Sequence, residues 1–132
     1  MRAGLVAAAL AAVLLAACAR PIQYATLTEA QGSGAIEQGF LPGALPAGAT
    51  LITIESDSGR PIGDFHFSSA EYPSMVARFA PLAKLPTDPL LQSWVKRKDL
   101  AGYQAYTSAE GARVWLLLCS QGKGRCYFRR LN

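Results

Sequence analysis

Val114-Trp115-Leu116-Leu117-Leu118-Cys119 and Cys126-Tyr127-Phe128-Arg129-Arg130-Leu131 are two apolar-rich runs joined by Ser120-Gln121-Gly122-Lys123-Gly124, and the architecture turns on them. Residues 114–118 are apolar on both faces, which suits a central strand covered on both sides. The Gly-containing stretch reverses the chain, and the second run returns as a strand. Towards the N-terminus, Ala109-Glu110-Gly111 makes another reversal and Tyr103 to Thr107 reads as a further strand. Two more strands lie upstream. Leu51 to Glu55 alternates, with Ile52 and Ile54 on one face and Thr53 and Glu55 on the other. Ile62 to Phe67 does the same, placing Phe65 with Phe67 and Asp64 with His66. Asp57-Ser58-Gly59-Arg60-Pro61 between them is turn chemistry, so the pair is a hairpin.

The stretch between the two groups of strands is helical in pattern. Ser68-Ser69-Ala70-Glu71 with Pro73 announces a helix, Met75, Val76 and Phe79 share a face, and Pro81 stops it. Thr87-Asp88-Pro89 starts a second helix whose stripe is Leu90, Leu91, Trp94 and Val95, with Lys96-Arg97-Lys98 at its C-terminal end. The expected order is ββααβββ over residues 49–132. This is an α+β domain with a mainly antiparallel sheet of about five strands and two short helices.

The chain has 132 residues, 51% hydrophobic and 17% charged, which excludes a disordered tail and a long coiled coil and allows one domain. Three cysteines and one histidine are too few for a conventional structural zinc site. Arg2 is the only charge before residue 20, and Ala3 to Ala17 is an unbroken run of Ala, Gly, Leu and Val. A positive start, about fifteen apolar residues and small residues at the end describe a secretory signal. The run stops at Leu15-Ala16-Ala17-Cys18, which resembles the lipobox of bacterial lipoproteins. That resemblance implies cleavage after Ala17, a diacylglyceryl thioether on Cys18 Sγ and an acylated amino terminus. Several acyl chains hold a protein stably where one holds it marginally. Ala19, in place of the aspartate that favours inner-membrane retention, implies the outer membrane, facing the periplasm. Residues 1–17 are thus the signal peptide. Residues 18–48, rich in Gly, Ala, Pro and Gln, read as lipidated N-terminus and tether, with Leu41-Pro42 and Leu45-Pro46 apolar enough to dock on the domain.

Gly39-Phe40-Leu41-Pro42, Leu45-Pro46, Ala49-Thr50, Ile52, Asp57-Ser58-Gly59 and Phe65-His66-Phe67 are similar to a motif of uncharacterised bacterial envelope proteins. This resemblance, over residues 39–67, implies a domain type and no activity. With Cys18 lipidated, Cys119 and Cys126 remain as an even pair in an oxidising compartment. They sit opposite each other across a six-residue turn, so a structural disulfide is expected.

His66 is the only histidine, so any acid–base or metal scheme runs through it, with Asp64, Thr53 and Glu55 on the same face. No Gly-x-Ser-x-Gly, His-Glu-x-x-His or phosphate loop occurs. The solvated side of a hairpin is the simpler reading, and no catalytic or metal-binding residue is expected. Charge is uneven: Cys18 to Val95 carries a balance of −3 and Lys96 to Asn132 one of +6. Lys123, Arg125, Tyr127 and Arg129 form a basic–aromatic hairpin, the expected partner surface for an envelope protein, an anionic glycan or a lipid headgroup. Reversing its charges is expected to weaken partner capture and leave stability unchanged. Nucleic acid is excluded by compartment, and no cofactor is expected. The function these readings point to is a non-enzymatic, lipid-anchored binding or accessory module. An inhibitor or immunity lipoprotein comes second, and a small hydrolase built on His66 third.

Overall fold

Seven strands form one antiparallel sheet in the order β1-β2-β3-β7-β6-β5-β4. They are β1 (Ile22–Thr26), β2 (Thr50–Asp57), β3 (Arg60–His66), β4 (Ala80–Pro81), β5 (Gln104–Glu110), β6 (Arg113–Ser120) and β7 (Arg125–Arg130). The computed structural model describes residues 21–57 and 59–132, so the expectations for the signal and Cys18 lie outside the described residues. Three short α-helices, α1 (Leu27–Gly32), α2 (Tyr72–Val76) and α3 (Pro89–Trp94), and 3-10 turns at Ser69–Glu71 and Arg97–Leu100 complete the chain. The α+β class and the antiparallel sheet are those expected. The count is not: β1, β4 and α1 are additional. Among the described residues no helix is long and apolar enough to cross a membrane.

The central strand β6 sends alternate side chains into two separate cores. Trp115, Leu117 and Cys119 meet Phe65, Phe128 and Cys126 on what we call the disulfide face. Leu116 and Leu118 meet Tyr127, Tyr103 and Ile62 on the opposite, tyrosine face. An apolar run on both faces is what two covering layers require. Residues 82–103, with α3, cover the tyrosine face through Leu91, Val95 and Leu100.

The disulfide face is covered by α2 and by a segment expected to be a tether. Ala30, Ala35, Leu41, Leu45 and Ala49 are all buried there. Residues 21–48 are therefore part of the folded domain, and the boundary expected at residue 49 moves to the start of β1. The reason is side-chain anchorage rather than helix content. Arg113 donates to the carbonyls of Ile36 (3.0 Å) and Glu37 (2.8 Å), Arg130 donates to that of Gly39 (3.2 Å), and the Glu110 carboxylate accepts from Gly43 N–H (2.8 Å). Gly39 has φ +78°, and a Cβ there would stand 2.7 Å from the Arg130 guanidinium. A Gly- and Pro-rich stretch can thus be ordered where fixed partners satisfy its backbone.

Candidate functional site

Register defines the site. Gln23, Thr53, Asp64, Tyr127, Leu118 and Ala105 are successive Cα partners, so their side chains form one row across the tyrosine face. Glu55, Ile62, Arg129 and Leu116 form the next row. The covering layer lies over the β7-β6-β5 end of these rows. At the β1-β2-β3 end the face is open, and a groove of about 630 Å³ runs there over Gln23, Thr53, Glu55, Asp64 and His66. Trp94, the last residue of α3, lines it too, as do Pro21 and Leu51. A second depression of about 280 Å³ adjoins it and shares Glu55 and Trp94, adding Ser56 and Ser93.

Leu51 stands out in the lining. Its φ is +48° and it is 63% exposed. The position is set by a bulge: Leu51 and Ile52 together oppose Phe65, because the β2–β3 register shifts between Thr50 and Thr53. Bulges of this kind place one residue in the left-handed region, usually glycine. An isobutyl side chain there is strained and points no apolar surface into either core cluster.

The structure places the expected site residues less freely than the sequence suggests. Tyr127 is buried, 7% exposed, with its ring against Tyr103 and Trp94. Arg129 is largely buried, with its guanidinium on the Asp88 carboxylate. Asp88 also caps α3, accepting from the N–H groups of Leu90 (3.0 Å) and Leu91 (3.2 Å). Arg125 donates from Nε to the buried Asp64 carboxylate (2.7 Å) and lies 4.5 Å from the centre of the Tyr127 ring. Lys123 is exposed but sits over the Tyr103 ring and reaches the Asp99 carbonyl (3.3 Å). The expected exposed basic–aromatic surface is thus corrected: three of its four side chains are bound up in internal pairs. Alternation along β7 does put Tyr127 and Arg129 on one face, but that face is roofed. Burial, with Tyr127 beside it, pushes the Tyr103 phenol up to about 12.

Cys119 and Cys126 are cross-strand partners with Cα atoms 4.1 Å apart and their sulfurs at disulfide distance, fully buried. His66 is half-buried on the groove floor, opposite Arg125 in the β3–β7 register. The carboxylate that strand alternation puts beside it, Asp64, is taken by Arg125. Among the described residues no group of three or more His, Cys, Asp or Glu side chains is placed to hold a metal ion.

Two lining residues escape a reading of the sequence. Gln23 lies in a stretch that looks like linker, and Trp94 in a helical stripe that looks like core. A usable signal was present in Thr26-Leu27-Thr28-Glu29, the Thr-x-x-Glu spacing of a capped helix start. Thr26 Oγ1 accepts from Glu29 N–H (3.3 Å), and the Glu29 carboxylate accepts from Ala25 N–H (2.9 Å). No family model, curated protein or solved structure matches the chain.

Proposed function

We propose that the chain is a lipid-anchored, non-enzymatic binding module of a bacterial envelope, held in the outer membrane by Cys18 and facing the periplasm. Its binding face in this reading is the groove over β1, β2 and β3, not the β6–β7 hairpin. The observation that carries the reading is the open half of a sheet face whose other half is roofed. That half presents polar side chains from three adjacent strands beneath a half-exposed tryptophan. Concave sites with a few convergent polar groups are the usual ligand sites of small domains. A catalytic role for His66 would call for an aligned carboxylate or nucleophile. Asp64, the adjacent candidate, is instead neutralised by Arg125. An inhibitor role would favour a projecting disulfide-held turn, whereas Gln121 of that turn donates to the Ser69 carbonyl (3.1 Å).

The anchor and the groove belong together. Pro21 lines the groove and is only three positions along the chain from Cys18, with Ala19 and Arg20 between them. That length of chain spans at most about 10 Å. Lipid on Cys18 would therefore keep the groove close to the membrane surface. Metabolic labelling with a fatty acid tests the anchor: Cys18→Ser should lose label and leave the membrane fraction while still folding. Label that persists in the variant refutes the assignment. A photo-crosslinking residue at Thr53 tests the face: it should give an adduct in envelopes that the same residue at Lys123 does not.

A further inference from the structure

We infer that the groove takes a glycan chain, neutral or carrying amino groups, laid across Trp94. The inference rests on the groove being the binding face and adds the class of ligand.

Charge narrows the field first. Arg125 is the one Lys or Arg among the described residues lining either depression, and Asp64 neutralises it. Glu55, shared by the two depressions, has no ion-pair partner among the described residues. Among the described residues the lining therefore carries a surplus negative charge. Phosphate and sulfate groups are recognised by clusters of arginine, of which this lining has none to spare. A phospholipid headgroup or a sulfated glycan would meet repulsion here.

The chemistry of the lining narrows it further. An amphipathic helix requires a continuous apolar trough, whereas here the apolar Pro21, Leu51 and Trp94 are interrupted by Gln23, Thr53, Glu55 and His66. An extended peptide adds to a sheet at its edge, through backbone hydrogen bonds; the free edge of β1 borders the groove, but the side chains facing into it, Gln23, Thr53 and Glu55, come from the face of β1 and β2. A polyproline segment docks between several aromatic rings, whereas Tyr24 of the lining packs on the disulfide-face core and leaves the Trp94 indole as the platform. A sugar chain has the complementary properties. Its hydroxyls both donate and accept, as do Thr53, Ser56 and the amide of Gln23, while Ser93, whose hydroxyl donates to the Leu90 carbonyl (2.7 Å), can accept. Its C–H faces pack on an indole ring, and Trp94 is half-exposed while its ring is held edge-on by Tyr127 at 6.4 Å. Such a rigid aromatic platform loses little entropy on binding. Two depressions meeting at Trp94 and Glu55 give a continuous track for several rings rather than one. Leu51 offers an apolar surface on the same lining, where its strained backbone keeps the side chain out of the core.

The test uses the full chain extracted in detergent, titrated with three tetrasaccharides: chitotetraose, its de-N-acetylated form, and a heparin tetrasaccharide. Trp115 is fully buried, so a change in tryptophan emission reports Trp94. Saturable binding of chitotetraose is expected. The aminated form should bind more tightly at low salt, and the heparin fragment should not bind. Trp94→Ala should weaken binding roughly tenfold or more, as loss of a central aromatic anchor does. Glu55→Gln should keep chitotetraose binding and abolish the preference for amines. Because Trp94→Ala also removes a packing contact, Thr53→Lys, which fills the floor from a half-exposed position, gives a second blocking variant. Failure of both non-sulfated tetramers to bind calorimetrically, preference for heparin, or binding unmoved by both blocking variants would overturn the inference. An envelope protein crosslinked at Thr53 without sugar binding would overturn it while leaving the groove as the binding face. Cleavage of the bound tetramer would instead support the glycan and overturn the non-enzymatic reading.

Discussion

At the scale of single residues, Gly63 carries a constraint that no pattern in the sequence reveals. It lies in the middle of β3, where a Cβ would stand 2.1 Å from the Thr53 carbonyl oxygen and 2.4 Å from the Phe128 ring. One obstacle is backbone and the other is a fully buried ring, so neither can yield cheaply. Gly63→Ala should therefore destabilise the fold by about 1–3 kcal/mol, the range for overpacking a filled core. Gly122→Ala, where nothing lies within 4 Å, serves as the control and should leave the urea midpoint almost unmoved. Leu51 predicts the opposite sign. Its left-handed backbone costs about 1–2 kcal/mol for an L-residue. Glycine removes that cost but adds about 0.5–1 kcal/mol of unfolded-state entropy. Leu51→Gly should thus raise stability by up to about 1.5 kcal/mol, read as a higher urea midpoint. A strained residue kept at a binding groove is where stability and function are expected to conflict.

Among the elements, α3 and the 3-10 turn at Ser69–Glu71 depend on one carboxylate each, and the two behave differently. Asp88 caps α3 with one oxygen and holds Arg129 with the other, tying the covering layer to the sheet. Both side chains are about nine-tenths shielded from solvent, so removing one partner strands the other's charge. Arg129→Glu should cost roughly 3–5 kcal/mol or more. This reverses the expectation that charge changes in the hairpin spare stability, and a thermal melt decides it. Glu71 is satisfied by backbone N–H groups at Gly48 (2.9 Å) and Ser68 (3.2 Å). The Gly48 bond, chiefly, holds its carboxyl below the ordinary 4.5. A depressed carboxyl stabilises the fold above its unfolded value and loses that contribution as pH falls through its folded value. The stability gap between the protein and Glu71→Gln should therefore be present at pH 7 and narrow below about pH 4.5. A gap that widens on acidification would contradict the assignment. Both start signals, Ser68 to Glu71 and Thr87-Asp88-Pro89, were legible because capping is local chemistry. The pairing of Asp88 with Arg129 was not, since it joins residues 41 apart through a tertiary contact.

For the whole molecule, the five strands expected from the sequence are all present, because alternation in β2 and β3 and the doubly apolar run of β6 record which faces are buried. What was hidden is the second layer made by residues 21–48. Its order comes from Arg113, Arg130, Glu110 and Glu71 reaching over from the sheet and the 3-10 turn before α2, and composition carries no trace of such partners. The same blind spot hid the groove, since Gln23 enters the site only once β1 is known to pair with β2. The two descriptions of residues 21–48 make opposed predictions under limited proteolysis. A tether would be cut by thermolysin under native conditions and release an intact fragment beginning near residue 49. A folded layer that buries Ala30, Ala35, Leu41 and Leu45 should resist until the domain unfolds as a unit. We expect no native cleavage between residues 21 and 48. Leu41, 1% exposed, provides the lever: Leu41→Ala should destabilise by about 2–5 kcal/mol and bring on cleavage in this segment and in the sheet together. Cleavage confined to the segment, with the sheet left intact, would restore the tether. It would also free the anchor by nearly thirty residues of chain and remove the argument that the groove is held at the membrane surface.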